Sequence, residues 1–192
     1  MPESICWIDD VDYQDADPAL RTIYDRVKSP HGGLDNLYRG FSLSPQTILP
    51  ADDLYLAAMH HRNNVLPKVF AELIGTCVAQ LAKCEYAQAH HGQNFIALSD
   101  DAGRASEVLQ WLKSGDYGRC GNDREVAALR YTRKLCLEPG AIEQADVESL
   151  RQAGWSDTEI SEIVQVIGMF SYFVRVINGL GITLGDEKLG LY

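Results

Sequence analysis

Between Glu72 and His91 the chain reads ELIGTCVAQLAKCEYAQAHH, which brings a carboxyl, a thiol and two imidazoles into one twenty-residue stretch. Side chains three and four residues apart stack on one helical face, so Cys84, residue 87 and His91 should line up. A cysteine at 87 would complete a Cys-x-x-Cys redox pair with a histidine one turn beyond it; the chain has Ala87 instead. A carboxylate beside an imidazole fixes its tautomer and raises its basicity, so Glu72 and His91 together have the parts of a proton relay.

Each of these residues also has a plainer reading. Glu72 falls on the flank of an apolar helical stripe, beside Lys68, Gly75 and Thr76. A solvated carboxylate is the ordinary expectation there, unless that flank packs on the next helix. Cys84 alone reads as a small buried side chain, whereas a place at a helix N-terminus favours the thiolate. His90 diverges from His91 by about 100° and shares a face with Tyr86. His60-His61 and His90-His91 supply four imidazoles, but no pair has the His-x-x-x-His spacing of a helical metal site, so no metal is expected. Neither G-x-S-x-G nor G-x-x-x-x-G-K-[ST] occurs. Arg175, among Phe170, Tyr172 and Phe173, needs a partner or a wet cavity; Glu72 or a substrate carboxylate would serve.

The elements that must position these groups are helices. Asp17-Pro18 marks an N-cap and first turn, with Leu20, Ile23, Tyr24 and Val27 at helical spacing. Ser44-Pro45 repeats the signal, and Pro50 should delay the next regular helix to about Asp52–His61. Pro67 opens the clearest pattern, Val69, Phe70, Leu73, Ile74, Cys77, Val78 and Leu81, a core-facing helix. A second helix from about Cys84 to Leu98 makes the site straddle a helix junction. A helix over 104–113 precedes the polar stretch SGDYGRCGN. Asn122 with Glu125 and Ser156 with Glu159 have capping-box spacing and open helices over about 123–137 and 157–178. A short helix near 145–153 lies between them, and Gly179 and Gly181 supply the stop. The sum is an all-α domain of seven to nine helices.

The 192 residues suit one domain with a core that needs no crosslinks. A net charge of −10 opposes binding to nucleic acid or an anionic membrane. Five cysteines at irregular spacings, none as Cys-x-x-Cys, point to a reducing compartment. The acidic N-terminal stretch MPESICWIDDVDYQDADP has no signal-peptide pattern. The apolar run around Ile163–Val174 is too short to span a bilayer, so a cytoplasmic protein is expected.

Glu72, eleven intervening residues, Cys84-Glu85-Tyr86-Ala87 and then His91 resemble the AhpD-like and carboxymuconolactone decarboxylase superfamily, whose peroxidase branch carries E-x(11)-C-x-x-C-x-x-x-H. The segments VDYQDADPALRTIYDRV and ADVESLRQAGWSDTEISEIVQVIGMFSYFVRVINGLGI and the closing GLY extend the likeness to its longer peroxidase-related members over nearly the full chain. The resemblance implies a single AhpD-like all-helical domain over residues 1–192, with 1–65 as its N-terminal helical portion. It also implies assembly as a dimer, trimer or hexamer, no cofactor, and catalytic roles for Glu72, Cys84 and His91. In the peroxidase branch a Glu/His relay deprotonates the second cysteine, which attacks the peroxide before the first closes the disulfide. Ala87 stands in place of that attacking thiol. Cys77 reads as core rather than as a substitute partner, which leaves Cys84 a one-cysteine cycle with an external thiol as reductant. The decarboxylase branch often reads s-E-Y-x-x-x-x-H, which Cys84-Glu85-Tyr86 to His91 also resembles. There His91 would protonate the carbanion left by CO₂ from a small acid or lactone, with Arg62 or Arg175 holding the carboxylate and Tyr86 and His90 in support. A non-catalytic oligomeric member is the third reading.

Overall fold

In a computed structural model, residues 4–192 are described; Met1–Glu3, the start of the acidic N-terminal stretch, lie outside the described residues. Nine α-helices and no strand occur among the described residues. Local sequence explains most helix starts. Asp17 caps α1 (Pro18–Arg26) by accepting from the Leu20 amide, with Pro18 in the first turn. The short α2 (Asn36–Arg39) follows. Pro50 does not delay α3 (Ile48–His60), because a proline in the first turn gives up an amide that has no helical partner anyway.

The central element is α4 (Lys68–Leu81), which is buried on nearly every side because α5 (Glu85–Leu98), α7 (Asp123–Leu137) and α9 (Asp157–Leu180) all pack on it. Pro67 offers no capping side chain, and the segment leading into α4 is held by a carboxylate from α9: Glu162 accepts from the Leu66 amide at 2.7 Å and from Val65 at 3.0 Å. Gly75 lets α9 come close, since a Cβ there would lie 2.2 Å from the Phe170 ring. Between α4 and α5 the chain turns within Ala82–Cys84. Lys83 adopts the left-handed conformation at φ 53°, and the Cys84 amide donates to the Ala79 carbonyl at 2.9 Å.

The remaining helices buttress this core. Asp101 caps α6 (Ala102–Ser114), Gly115 ends it at φ 79°, and α8 (Gln144–Gln152) packs on α7 and α9. Both expected capping boxes form, at Asn122/Glu125 and Ser156/Glu159. Ser156→Ala is expected to cost about 1 kcal/mol, seen as a lowered urea midpoint at unchanged m-value. Gly181, at φ 63°, ends α9, whereas Gly179 lies inside it. At 24 residues α9 is long and apolar enough by composition to cross a membrane, exceeding the Ile163–Val174 run read from sequence. Half of its most apolar stretch is buried against neighbouring helices, as in the core helix of a globular domain.

Candidate functional site

Between α3, α5 and α9 lies a cavity of about 460 Å³, within the range of small-molecule sites. Its floor is apolar, with Met169, Phe170, Phe173 and Ile177 from α9. Tyr86, Ala87, His90, His91 and Asn94 form one wall from α5, at positions that share a helical face. Tyr55 and His60 come from α3, and Arg26, Lys28 and Lys68 supply its cations.

Glu72 is 1% exposed and reaches His91 from α4, so the flank expected to meet solvent is packed against α5. Its Oε1 accepts from Asn94 Nδ2 at 3.1 Å, and its Oε2 lies 2.7 Å from His91 Nδ1. With the carboxylate as acceptor, the neutral imidazole is the tautomer with its proton on Nδ1 and its lone pair on Nε2. Nε2 has no hydrogen-bond partner among the described residues, and His91 stands on the cavity wall. The imidazole is fixed from two further sides: edge-on to Phe170 at 4.5 Å between centroids, and near Tyr55 at 6.2 Å. Burial and the adjacent Glu72 push the Tyr55 phenol well up, so it is a neutral donor. Burial pushes the neighbouring His60 down, only partly offset by Glu72.

Cys84 does not join this group. It is the N-cap of α5, with extended backbone (φ −89°, ψ 95°), and so stands just outside the helix to which the stacking rule applies. The thiol is fully buried, does not line the cavity, and makes no hydrogen bond to Glu72 or His91 among the described residues. Burial pushes its pKa up, against the smaller opposing effect of the Ala87 and Tyr86 amides. The wall position that a second cysteine would occupy is Ala87. Cys77 is buried in the core.

The arginines expected to clamp a carboxylate lie elsewhere. Arg62 is exposed in the turn after α3, outside the cavity lining. Arg175 is exposed, donates to the Ser171 carbonyl at 2.6 Å, and borders a separate cleft with Cys136 and Asn178. Being one helical turn beyond Ser171 on the outer side of α9, it needs no buried partner. Tyr86 and His90 do line the cavity, with rings stacked 4.7 Å apart. No cluster of three or more metal-ligating side chains occurs among the described residues.

Several wall residues lie outside the motif that the sequence displays. Asn94 lies one turn beyond His91, so helical spacing alone could have found it. The C-terminal segment gave no such signal: Leu191 N–H donates to Asn94 Oδ1 at 2.7 Å, Glu187 lies 3.3 Å from His90 Nε2, and Tyr192 lines the cavity. Gly190 at φ 76° permits this approach, since a Cβ would lie 2.7 Å from Asn94 Oδ1.

No protein-family model matches the chain, and no curated protein matches it. Solved structures do. A peroxidase-related protein with the alkylhydroperoxidase AhpD core from Ralstonia eutropha superposes with a TM-score of 0.82 at 19% identity, over 96% of this chain and 94% of that one. An uncharacterised peroxidase-related protein from Silicibacter gives 0.80 at 22% identity, over the same shares of 96% and 94%. A variant of the debrominase Bmp8, in complex with 2,3,4-tribromopyrrole, gives 0.72 at 15% identity over 97% and 94%. What survives at such identities is architecture, and it extends over nearly the whole of each chain: this protein has the AhpD-like all-α fold of the peroxidase-related proteins.

Proposed function

We propose that this chain is a divergent AhpD-like protein that works as a cofactor-free acid–base enzyme, a decarboxylase or isomerase, on a small and substantially apolar carbonyl compound or acid. The observation that carries this reading is the Glu72–His91 pair, joined at 2.7 Å, with the free Nε2 on the wall of an open cavity. Nε2 takes or returns a proton at carbon, and Glu72 stabilises the imidazolium that forms. Asn94 holds the other carboxylate oxygen, so the pair needs no rearrangement during the reaction. Arg26 and Lys68 at the rim favour a substrate with a carboxylate or polarised carbonyl, and the phenylalanines of α9 favour an apolar body. Five unpaired cysteines suit a reducing compartment.

The peroxidase-related reading, with Cys84 as a single redox thiol relayed through Glu72 and His91, keeps one supporting feature. The Tyr86 and Ala87 amides point at the sulfur and favour its thiolate. Two variants separate the readings. Acid–base action predicts that His91→Ala abolishes, and Cys84→Ser retains, solvent-deuterium exchange at the carbon next to the carbonyl of cyclohex-3-en-1-one, followed by NMR. Thiol action predicts dithiothreitol-dependent consumption of hydrogen peroxide that disappears in Cys84→Ser. Peroxide consumption lost with the thiol, with no exchange in the parent protein, would sink the first reading in favour of the second.

A further inference from the structure

Asp35 occupies the N-cap of α2 with ordinary capping backbone (φ −67°, ψ 143°), yet its carboxyl caps nothing. The amides it would serve are taken by others. Asn36 N–H donates to Glu187 Oε2 at 2.8 Å, Leu37 N–H to the Tyr86 hydroxyl at 3.3 Å, and Tyr38 N–H to the Asp35 carbonyl at 3.0 Å. Asp17 and Asp101, also N-caps, do bond the amides three residues on. Residues from α5 and the C-terminal segment have thus taken over the cap. The half-buried Asp35 carboxyl is left on the cavity wall with no hydrogen bond among the described residues.

A half-buried carboxyl that makes no protein hydrogen bond and opens onto a cavity does nothing evident for the fold and is free to meet a ligand there. We propose that Asp35 is a second catalytic residue of this cavity, the acid that delivers a proton to one carbon of an unsaturated carbonyl substrate while His91 removes one from another. This rests on the acid–base reading above and narrows it to isomerisation. His91 Nε2 takes a proton from the carbon next to the carbonyl, and the electron pair of the broken C–H bond enters the conjugated dienolate. The Asp35 O–H bond then breaks as its proton forms a new C–H bond at the γ carbon, and the double bond moves into conjugation. Substrate and product have the same atoms and oxidation level. The imidazolium and the carboxylate return to their starting states by proton exchange through water.

The surroundings suit an acid. Burial first, then the neighbouring Glu187, push Asp35 up to about 6, with His90 opposing. The other titratable groups that feel its charge are Tyr38 on its own helix, Tyr55 on α3 and Tyr86 on α5, while Arg26 and Lys28 border the same cavity. An unfolded aspartate loses its proton near 4. The folded group keeps its proton longer, so charging it costs the fold stability as pH rises through about 4 to 6. Asp35→Asn removes that cost and breaks no capping hydrogen bond, because the Asp35 side chain makes none. The variant is expected to melt higher at pH 8 and little changed near pH 4, so lost turnover would not reflect lost fold.

The test follows cyclohex-3-en-1-one in D₂O by NMR, with the parent protein, Asp35→Asn and His91→Ala. The parent is expected to exchange the proton beside the carbonyl and to form cyclohex-2-en-1-one carrying deuterium at the γ carbon, with turnover falling as pH rises through about 6. Asp35→Asn should keep the exchange, lose roughly 10²-fold or more of the isomerisation, and lose that pH dependence. His91→Ala should lose both. Isomerisation by Asp35→Asn at the parent rate and pH profile overturns the role of Asp35 while leaving the Glu72–His91 reading intact. Absence of exchange in the parent overturns both.

Discussion

Glu72→Gln is expected to lower turnover by roughly 10²–10⁴-fold while the protein remains folded. The amide has almost the same shape and can still occupy the space between Asn94 and His91. What it lacks is the negative charge that favours imidazolium at the moment Nε2 takes a proton. Losing a hydrogen bond to a charged acceptor should cost about 1.5–3 kcal/mol of stability. Glu72→Ala should cost more, about 3–5 kcal/mol, because it strands the Asn94 amide and the His91 Nδ1–H in a core where residue 72 is 1% exposed. Deuterium exchange and urea unfolding on the two variants separate the charge effect from the packing effect. A Gln variant with parent-like exchange would show that His91 works without the carboxylate.

Phe170→Ala is expected to be the most damaging core truncation near the site, at about 3–5 kcal/mol. For a chain of this size that corresponds to a melting temperature lower by roughly 6–20 °C. The ring is 1% exposed, fills the gap left by Gly75 on α4, and meets the edge of the His91 imidazole at 4.5 Å. Its removal opens space between α4 and α9 and frees the imidazole to tilt, so exchange should fall further than stability alone explains. Phe170→Leu should recover most of the stability and less of the activity. Thermal melts with exchange rates measured well below the melting temperature check both statements.

The sequence announced the helices through local chemistry. Pro18, Asn122/Glu125 and Ser156/Glu159 mark starts that depend only on groups within one turn, and these three and the start at Pro67 lie where expected. The Glu72–His91 pairing was legible as spacing, because two helices joined by a tight turn bring positions 19 apart together. Two things were not. Glu72 looked solvent-facing because the apolar stripe of α4 marks only its most apolar side, whereas three helices packing on α4 bury Glu72 and Thr76 as well. Asp35 was invisible because what makes it unusual is supplied from afar: Tyr86 lies 49 residues from Leu37, and Glu187 lies 151 from Asn36. The arginines misled for a related reason, since residue type alone says nothing of which side of α9 is outside.

The left-handed Lys83 between α4 and α5 bears on how this site tolerates sequence drift. With the Cys84 amide bonded back to Ala79, the turn sets the rotation of α5 about its axis relative to α4. One residue added or removed there would swing every α5 side chain by about 100° and carry His91 away from Glu72. A change of side chain at 87 alters only the lining of the cavity. Chain length through this region is therefore rigidly constrained while residue identity on the wall is not, and a lineage can lose one chemistry at position 87 and keep the scaffold on which another operates.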